Sequence, residues 1–325
     1  MIKEFETYTR LINKAIEDLP LEQSPKELYQ PIRYILSLGG KRLRPLLTLM
    51  AYGLFREDHA SVIKPALAVE LFHNFTLMHD DIMDQAPLRR GQLTVHEKWN
   101  SNIALLSGDI MMVQAYQLLA SAPNGQLKSC LDAFNRCAAL VCEGQQLDMN
   151  FEQASDVTVE GYLDMIRKKT ATLLGFSLEL GALLAGADAN SQASLRDFGL
   201  NVGLGFQLKD DLLDVYGEQA KFGKQVGGDI IANKKTYLLI KSLDQASAEQ
   251  KERLDRWLQA ESFDAEEKVK EVTAIYDQLN IRETTENLVG QYFDRGYKAL
   301  EQLSAPEKNK KPLKLFADYL INRDH

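Results

Sequence analysis

E-L-F-H-N-F-T-L-M-H-D-D-I-M-D-Q-A-P-L-R-R-G, residues 70–91, is the stretch around which the chain is organised. It begins as an apolar run with helical spacing and ends in three carboxylates at Asp80, Asp81 and Asp84. Because Asp80 and Asp84 lie four residues apart, a helix places them on one face, one turn apart. A helix over this stretch therefore brings two acidic side chains together at its end.

The same D-D-x-x-D pattern recurs at Asp210, Asp211 and Asp214, again at the end of an apolar helical run. A single pattern of this kind is equally consistent with a solvated acidic helix end. Two of them are rare by chance in one chain, and two triads on two helices are able to face each other across a pocket. The repetition favours a paired acidic site over two unrelated helix ends.

Paired cations, Arg89 and Arg90, follow the first triad by one loop. Hard carboxylate oxygens favour Mg²⁺, which usually keeps several waters and takes one or two carboxylates together with substrate phosphates. A carboxylate binds a phosphate only through an intervening cation, whereas guanidinium groups bind phosphate directly. The combination predicts a site at which Mg²⁺ and arginine bind a diphosphate together.

Basic residues beside a glycine pair form a second candidate anion site. Glycines at positions 39–40 end the predicted second helix, and Lys41, Arg42 and Arg44 follow at the start of the next one. Backbone N–H groups, the helix dipole and side-chain charge all favour an anion there. The alternatives are a solvated basic turn and, for Arg42, an ordinary scaffold role.

Several residues of the first acidic helix have both a functional and an ordinary interpretation. His73 lies about two turns before Asp80 and roughly shares its face, although a lone histidine is more often a satisfied core residue. Phe72 and Phe75 place bulk below the acidic end, and two phenylalanines at this spacing are also normal core. Neither interpretation is excluded by the spacing alone.

Later polar residues interrupt apolar helices in the same way. In the helical segment over 157–187, Lys169 and Thr170 are candidates to point into a cavity, with Lys168 in solvent. A glycine-rich basic stretch then carries Lys224 and Lys234, which predicts a mobile flap over the acidic rim or, alternatively, a charged solvated loop.

Composition bounds the class of protein. The chain has 325 residues, 45% of them apolar, few prolines and little strict two-residue alternation, which predicts an all-α fold, and no composition break marks a second domain. Its net charge of −8 argues against general nucleic-acid or anionic-membrane binding. Three cysteines, of which Cys137 and Cys142 have helix-core spacing, fit a reducing cytoplasm. No secretory signal or long apolar span is visible, so we expect a cytoplasmic protein without stable membrane association.

The order and separation of the motifs resemble those of the trans-isoprenyl diphosphate synthases, the polyprenyl synthetase family, of the short-chain geranylgeranyl or farnesyl type. The matching motifs are G-G-K-R-L-R-P, H-D-D-I-M-D with L-R-R-G, K-T-A, and G-F-Q-L-K-D-D-L-L-D, between about residues 30 and 239. The resemblance implies one all-α domain over 1–325, a bundle of about ten or more helices around a deep central cavity (the isoprenoid synthase fold), usually as a homodimer.

The resemblance also implies a prenyltransferase that condenses isopentenyl diphosphate head-to-tail with an allylic diphosphate such as dimethylallyl, geranyl or farnesyl diphosphate. Three Mg²⁺ ions would be held by Asp80, Asp84 and Asp210. Asp81, Asp211 and Asp214 would act in a second shell or through water. The residues implied to contact and ionise the allylic diphosphate are Arg89, Lys169, Thr170, Gln207, Lys224 and Lys234. Those implied to bind isopentenyl diphosphate are Lys41, Arg44, His73 and Arg90.

Product length is implied by the residues before the first triad. Phe75 stands at the fifth position before Asp80 and the small Thr76 at the fourth, a combination that looks most like geranylgeranyl synthases. At about 1.5 Å per residue, Phe75 lies ~7 Å and Phe72 ~12 Å below Asp80, so both rings are candidates to block longer tails. We therefore expect a C20 product, with C15 farnesyl diphosphate as the alternative.

Two rival functions rank below this one. A class I terpene cyclase also uses D-D-x-x-D, but its second metal motif differs and it needs no site for a second diphosphate. A non-catalytic subunit of a heteromeric prenyl synthase would be expected to have lost one or both triads, and both are intact here.

Overall fold

Helices dominate the architecture. The computed structural model describes residues 5–154, 156–217 and 227–322, and 79% of it is helical. Within these ranges, the strands form a single two-stranded hairpin. The all-α prediction is therefore confirmed. None of the helices in the same ranges is long and apolar enough to cross a membrane.

The early helices end where the sequence provides a helix breaker. Pro20 follows the first helix, and Gly39, with φ of +80°, follows the second as a left-handed cap. The elements as far as residue 153 are α1 Glu6–Glu17, α2 Lys26–Ser37, α3 Leu43–Tyr52, α4 Ile63–Met83, β1 Leu88–Arg89, β2 Gln92–Leu93, α5 Val95–Lys98, α6 Ser101–Leu119 and α7 Asn124–Gln153.

Side-chain caps define the starts of several later helices. Thr158 and Asp264 each accept a hydrogen bond from a backbone N–H of the first turn, and Ser247 forms a complete capping box with Gln250. The later helices are α8 Val159–Ile166, α9 Thr172–Ala185, α10 Ala189–Tyr216, α11 Gly228–Ile231, α12 Tyr237–Gln245, α13 Ala248–Gln259, α14 Ala265–Gln278, α15 Ile281–Glu301 and α16 Glu307–Ile321.

The helices fall into two compact units. The first comprises residues up to Arg136 with Phe176–Arg196 and Leu303–Leu313, and the second comprises Cys137–Gly175, Asp197–Gln302 and the residues from Lys314 onward.

The first unit is built around α4, which packs along α6 and against α3. Residues 65–72 of α4 are all buried, so this part of the helix has no solvent face and belongs to the core. Each large apolar side chain buried there contributes roughly 1.5–3 kcal/mol. The core part of α4 therefore holds its acidic C-terminal end in a fixed position.

In the second unit, glycines bring helix backbones close together. A Cβ atom on Gly199 of α10 would lie 2.7 Å from the Cα of Gly175, and one on Gly203 would lie 2.7 Å from the Cα of Ala171. Real Cβ atoms do not approach other atoms so closely, so only glycine fits without rearrangement. This packing fixes α10, which ends in the second triad, against the segment that carries Lys169.

The loop predicted after the first triad contains a hairpin. β1 and β2 pair Leu88 with Leu93 and Arg89 with Gln92, around a turn in which Arg90 and Gly91 have φ of +54° and +75°. Two residues with positive φ form the tight turn that suits a twisted hairpin. The pair R-G was not recognised as this turn because arginine is not a typical first residue of it.

A second difference lies between α8 and α9. Residues Arg167–Ala171 form a π-helical turn, in which the hydroxyl and the backbone N–H of Thr172 both donate to the carbonyl of Arg167. Such turns occur mostly as single wide turns and are frequent at functional sites. Lys169 and Thr170 thus stand on a widened turn rather than on a regular helix.

The three cysteines are thiols and form no disulfide. Cys130 and Cys137 are buried, but Cys142 is exposed, so its predicted place in the helix core is wrong. Five residues separate Cys137 from Cys142, which turns the second side chain about 140° away from the first on a helix.

Candidate active site

In the first unit, the acidic end of α4 presents one polar face. Asp80 and Asp84 share this face with His73 and Thr76, which lie seven and four residues before Asp80. The Asp80 side chain is 21% exposed, and Asp84, at the C-cap of the helix, is exposed. Two carboxylates one turn apart are therefore accessible to a ligand.

Asp81 has a different environment. It is buried, and both of its oxygens accept from Arg89: Nε lies 2.8 and 2.9 Å from them and Nη2 lies 2.6 Å from Oδ1. Arg89 Nη2 also lies 4.0 Å from Asp80 Oδ2. Asp81 thus acts as the charge partner that holds Arg89 beside the acidic face.

Two residues predicted to bind the second diphosphate meet directly. Arg44 Nη1 lies 3.1 Å from His73 Nε2. Because arginine only donates, Nε2 must accept, and the imidazole proton therefore sits on Nδ1. Burial, followed by the charges of Arg44 and Arg90, lowers the pKa of His73 well below its usual value. His73 is consequently neutral and still able to donate through Nδ1.

Arg90 extends this basic cluster to the glycine pair. Its Nη1 donates to the carbonyl of Gly39, and a Cβ atom on Gly40 would lie 3.0 Å from the guanidinium. Gly40 has φ of +133°, so both its backbone and the arginine above it favour glycine. Lys41 lies next to this contact and is exposed.

Arg42 does not belong to the basic cluster of Arg44, His73 and Arg90. It is buried, its Nη1 lies 2.6 Å from Glu70 Oε1, and Nη2 donates to the carbonyl of Leu36. Asn74 donates to the same carboxylate oxygen at 3.0 Å. Of the alternatives for Arg42, the scaffold role is therefore correct.

In the second unit, the π-helical turn Arg167–Ala171 places two residues predicted to bind the allylic diphosphate beside polar partners. Lys169 Nζ lies 2.6 Å from Asp148 Oδ2 on α7, and Thr170 donates to Gln207 Oε1 at 3.2 Å. Asp148 is thus the ion-pair partner of Lys169. Lys168 is only 19% exposed and pairs with Glu143 and Asp164, so its expected solvated position is wrong.

A buried hydrogen-bond chain continues from Thr170 to the second triad. Gln207 Nε2 donates to Asp211 Oδ1 at 3.1 Å, and the Tyr162 hydroxyl donates to Asp211 Oδ2. Burial raises the pKa of Asp211 to about 7, against the opposing effect of the Tyr162 hydrogen bond. Both amide ends of Gln207 are therefore engaged, which fixes its orientation. Tyr162 lies outside every motif and was not identified from the sequence.

The remaining residues of the triad lie nearer the surface. Asp210 is partly exposed, and Asp214 Oδ2 accepts from the backbone N–H of Asp229 at 2.9 Å. Lys234 Nζ lies 4.0 Å from Asp229 Oδ1. Asp214 thus anchors the segment that carries Lys234. Lys224, the other predicted flap lysine, lies outside the described residues.

Two phenylalanines of α4 contact other aromatic rings. The ring centroid of Phe75 lies 4.6 Å from that of His79, and the centroid of Phe72 lies 5.1 Å from that of Phe134 on α7. Thr76, rather than Phe75, shares the face of Asp80. The predicted chain-length residues thus occupy neighbouring faces of one helix.

The carboxylates of the two triads fit a Mg²⁺ ion that is bound together with a phosphate group. Among the residues that the structure describes, no three His, Cys, Asp or Glu side chains are arranged as a metal site of their own. Mg²⁺ needs only one or two carboxylates when water and substrate phosphates complete its shell. Asp80 and Asp84 in the first unit, and Asp210 in the second, each carry carboxylate oxygens of the type that Mg²⁺ prefers.

Comparisons with known proteins agree with the motifs. The sequence model of the family described as Polyprenyl synthetase matches residues 25–276. Geranylgeranyl pyrophosphate synthase of Geoglobus acetivorans is 38% identical over 97% of both chains, and geranylgeranyl diphosphate synthase of Methanosarcina mazei is 35% identical over 100% of this chain and 98% of its own. A crystal structure of a geranylgeranyl pyrophosphate synthase is 40% identical, with a TM-score of 0.94 over all of both chains. The fold is that of these prenyl synthases.

Proposed function

This chain belongs to the polyprenyl synthetase family, and we propose from that premise that it makes geranylgeranyl diphosphate from isopentenyl diphosphate and allylic diphosphates. It is a prenyltransferase. The observation that carries the C20 product is the similarity, over nearly the whole chain, to proteins named as geranylgeranyl diphosphate synthases. Farnesyl diphosphate, the C15 alternative, is not favoured by these relatives.

In this proposal the allylic diphosphate is bound through Mg²⁺ at Asp80, Asp84 and Asp210. Bound Mg²⁺ would stabilise the negative charge that develops on the leaving diphosphate. Asp81 supports this indirectly, because its carboxylate fixes Arg89 in place. Asp211 and Asp214 likewise hold neighbouring groups by hydrogen bonds rather than ligate the metal.

Direct contacts to the allylic diphosphate come from cationic and polar side chains. Lys169 exchanges its ion pair with Asp148 for the phosphate, and Thr170 and Gln207 present fixed dipoles to it. Preorganised donors of this kind stabilise developing charge without reorganising during the reaction. The residues proposed for this role are Arg89, Lys169, Thr170, Gln207, Lys224 and Lys234.

Isopentenyl diphosphate binds, in the same proposal, to Lys41, Arg44, His73 and Arg90. The support is the Arg44 to His73 contact and the neutral state of the imidazole, which leaves its Nδ1 proton free to be donated. Three cations and one neutral donor match the charge of a diphosphate. Its double bond then acts as the nucleophile, so no protein nucleophile is required.

We also propose that the enzyme works in the cytoplasm as a homodimer, without nucleic acid or a stable membrane association. The net charge of −8 argues against general binding to nucleic acid or to an anionic membrane. Leu105, Leu106 and Val113 are about half exposed along α6, which supports a second copy covering this face.

The deciding experiment is a product assay with purified protein, Mg²⁺, labelled isopentenyl diphosphate and dimethylallyl diphosphate. Chain length is determined after phosphatase treatment, and a C20 alcohol is the expected result. Asp80→Ala should reduce turnover by more than about a hundredfold, because a metal ligand is lost. Asp132→Asn, a change on the exposed surface of α7, is the matched control.

The rival functions give different results in this assay. A cyclic hydrocarbon from an allylic diphosphate alone would indicate a terpene cyclase. No condensation with any allylic starter would indicate a non-catalytic subunit. Near-normal turnover of Asp80→Ala at ordinary Mg²⁺ concentration would contradict the proposed metal site.

A further inference from the structure

A buried lysine stands apart from all the motifs. Lys268, on α14, is only 1% exposed. Its Nζ donates to Asn233 Oδ1 at 2.6 Å and to the carbonyl of Ile231 at 3.4 Å, and it lies 4.1 Å from the centre of the Phe263 ring. An ammonium group removed from water is costly unless its donors are satisfied. Here the donors are directed at one short segment of the chain, residues 231–233.

The segment that Lys268 holds is a corner with an uncommon backbone conformation. Asn233 follows the short helix α11 and has φ of +54°, in the left-handed region. Lys268 binds the oxygen of its side chain, and its Nδ2 donates to the carbonyl of Leu258 at 3.1 Å. Two neighbouring helices, α13 and α14, therefore fix both ends of one amide and with it the direction of the chain.

The next residue after this corner is Lys234. Its backbone N–H donates to the carbonyl of Asp229 at 2.9 Å, and its Nζ lies 4.0 Å from Asp229 Oδ1. Asp229 is itself held by Asp214 of the second triad. A displacement of the corner would therefore move the Lys234 ammonium relative to that triad.

We propose that Lys268 is a positioning residue, which fixes the left-handed corner at Asn233 and so directs Lys234 at the allylic diphosphate. This inference rests on the proposed function, in which Lys234 contacts that diphosphate. A lysine suits the task because its three N–H donors reach a side-chain oxygen and a helix-end carbonyl together, whereas a buried apolar residue would leave both acceptors unpaired.

The test is a double-mutant cycle of Lys268→Met with Lys234→Ala, measured by steady-state kinetics. Methionine is unbranched and only one heavy atom shorter than lysine, and it removes the charge and the donors. Lys268→Met should raise the KM for the allylic diphosphate by about tenfold and leave the KM for isopentenyl diphosphate unchanged. In the Lys234→Ala background the same change should have almost no further effect, because the group that it positions is absent.

Binding measured without turnover gives a second readout. Calorimetric titration of dimethylallyl diphosphate with Mg²⁺, in the absence of isopentenyl diphosphate, should show the same loss of affinity in Lys268→Met. Asn233→Gly tests the corner from the other side, since glycine accepts the left-handed backbone but removes the acceptor of Lys268. It should reproduce the effect if Lys268→Met does not fold.

Lys310→Met is the matched control, because Lys310 is also a buried lysine, 4% exposed, and pairs with Glu307 in the first unit. It should leave both KM values unchanged. Independent, multiplicative effects of the two substitutions in the cycle would overturn the inference. An unchanged allylic KM in Lys234→Ala would overturn the role of Lys234 and the inference with it, while condensation by the wild-type protein would still uphold the proposed function.

Discussion

At the scale of single residues, the environment of His73 leads to a prediction about pH. Burial, followed by the charges of four guanidinium groups, those of Arg44, Arg90, Arg89 and Arg42, lowers the pKa of His73 well below its usual value. The unfolded chain binds a proton at this residue below about pH 6.5, whereas the folded protein resists it. Stability from this group is therefore present above pH 6.5 and lost as the pH falls.

We predict that the free energy of unfolding falls between pH 7 and pH 5 more steeply in the wild type than in His73→Gln. The difference in slope should approach, but not exceed, about 1.4 kcal/mol per pH unit. Denaturant titrations at several pH values measure it, and other titrating groups cancel because they are common to both proteins. Equal slopes would mean that His73 is not held neutral.

Residue types alone did not decide which charged side chains bind ligands. Arg42 and Arg44 lie two positions apart in one basic motif, yet one forms a buried ion pair with Glu70 and the other meets His73. The sequence shows the charge but not the partner, because Glu70 comes from another helix. Tyr162 was missed for the same reason, since its role depends on Asp211, 49 residues away.

At the scale of elements, α7 lies so close to the π-helical turn Arg167–Ala171 that one methyl group added to α7 should displace this turn. A Cβ atom on Gly144 would lie 2.2 Å from the backbone nitrogen of Lys169. Gly144→Ala should force the turn away, destabilise the protein by about 1–3 kcal/mol and raise the KM for the allylic diphosphate. Thermal unfolding and steady-state kinetics measure the two effects.

Gly125→Ala is the control for this prediction. It lies in the same helix, but nothing stands within 4 Å of the position that a Cβ atom would take. Alanine is the better helix former, so the stability of this variant should be unchanged or higher. If both variants behave alike, the close approach at Gly144 is not what positions Lys169.

The helices themselves were largely predictable because apolar periodicity and breakers such as Pro20 and Gly39 are local signals. The wide turn at Arg167–Ala171 was not, since R-K-K-T-A fits a regular helix and the hydrogen bonds that widen it leave no local pattern. The hairpin at Arg90 and Gly91 was missed because a turn with two positive φ values rarely begins with arginine.

Phe75 and Thr76 lie on different faces of α4, and we predict that substitutions at these two positions change product length in opposite directions. Thr76 shares the face of Asp80, whereas the ring of Phe75 lies on a neighbouring face against His79. Phe75→Ala should lengthen the product beyond C20 because it removes bulk below the metal ligands. Thr76→Phe should shorten it toward C15 because it adds a ring on the acidic face itself.

Chromatography of the dephosphorylated products measures both changes. Phe151→Ala, which removes a partly buried ring from α7 at another position, is the control and should leave chain length unchanged. An unaltered product from Phe75→Ala would show that this ring does not limit the chain.

At the scale of the whole molecule, the sequence predicted the all-α class correctly because composition and periodicity act over the entire chain. The prediction of one domain over 1–325 stays a prediction, and so do the homodimer and the cytoplasmic location. Dimer formation depends on the exposed surface of the folded chain. A helix with apolar residues on several faces does not show in its sequence which of these faces another chain covers. In α6 that information comes from the exposed fraction of each side chain.

Three large apolar side chains on α6, Leu105, Leu106 and Val113, are 48%, 56% and 49% exposed. A second copy of the chain would remove this apolar surface from water, at roughly 25 cal/mol per Å². We predict that the wild type sediments as a dimer and that Leu106→Lys shifts it toward monomer, because a buried charge without a partner is unfavourable. Leu93→Lys, on a leucine of the β2 strand that is 48% exposed, should remain dimeric. Dissociation of both variants alike, or a monomeric wild type, would show that α6 is not the interface.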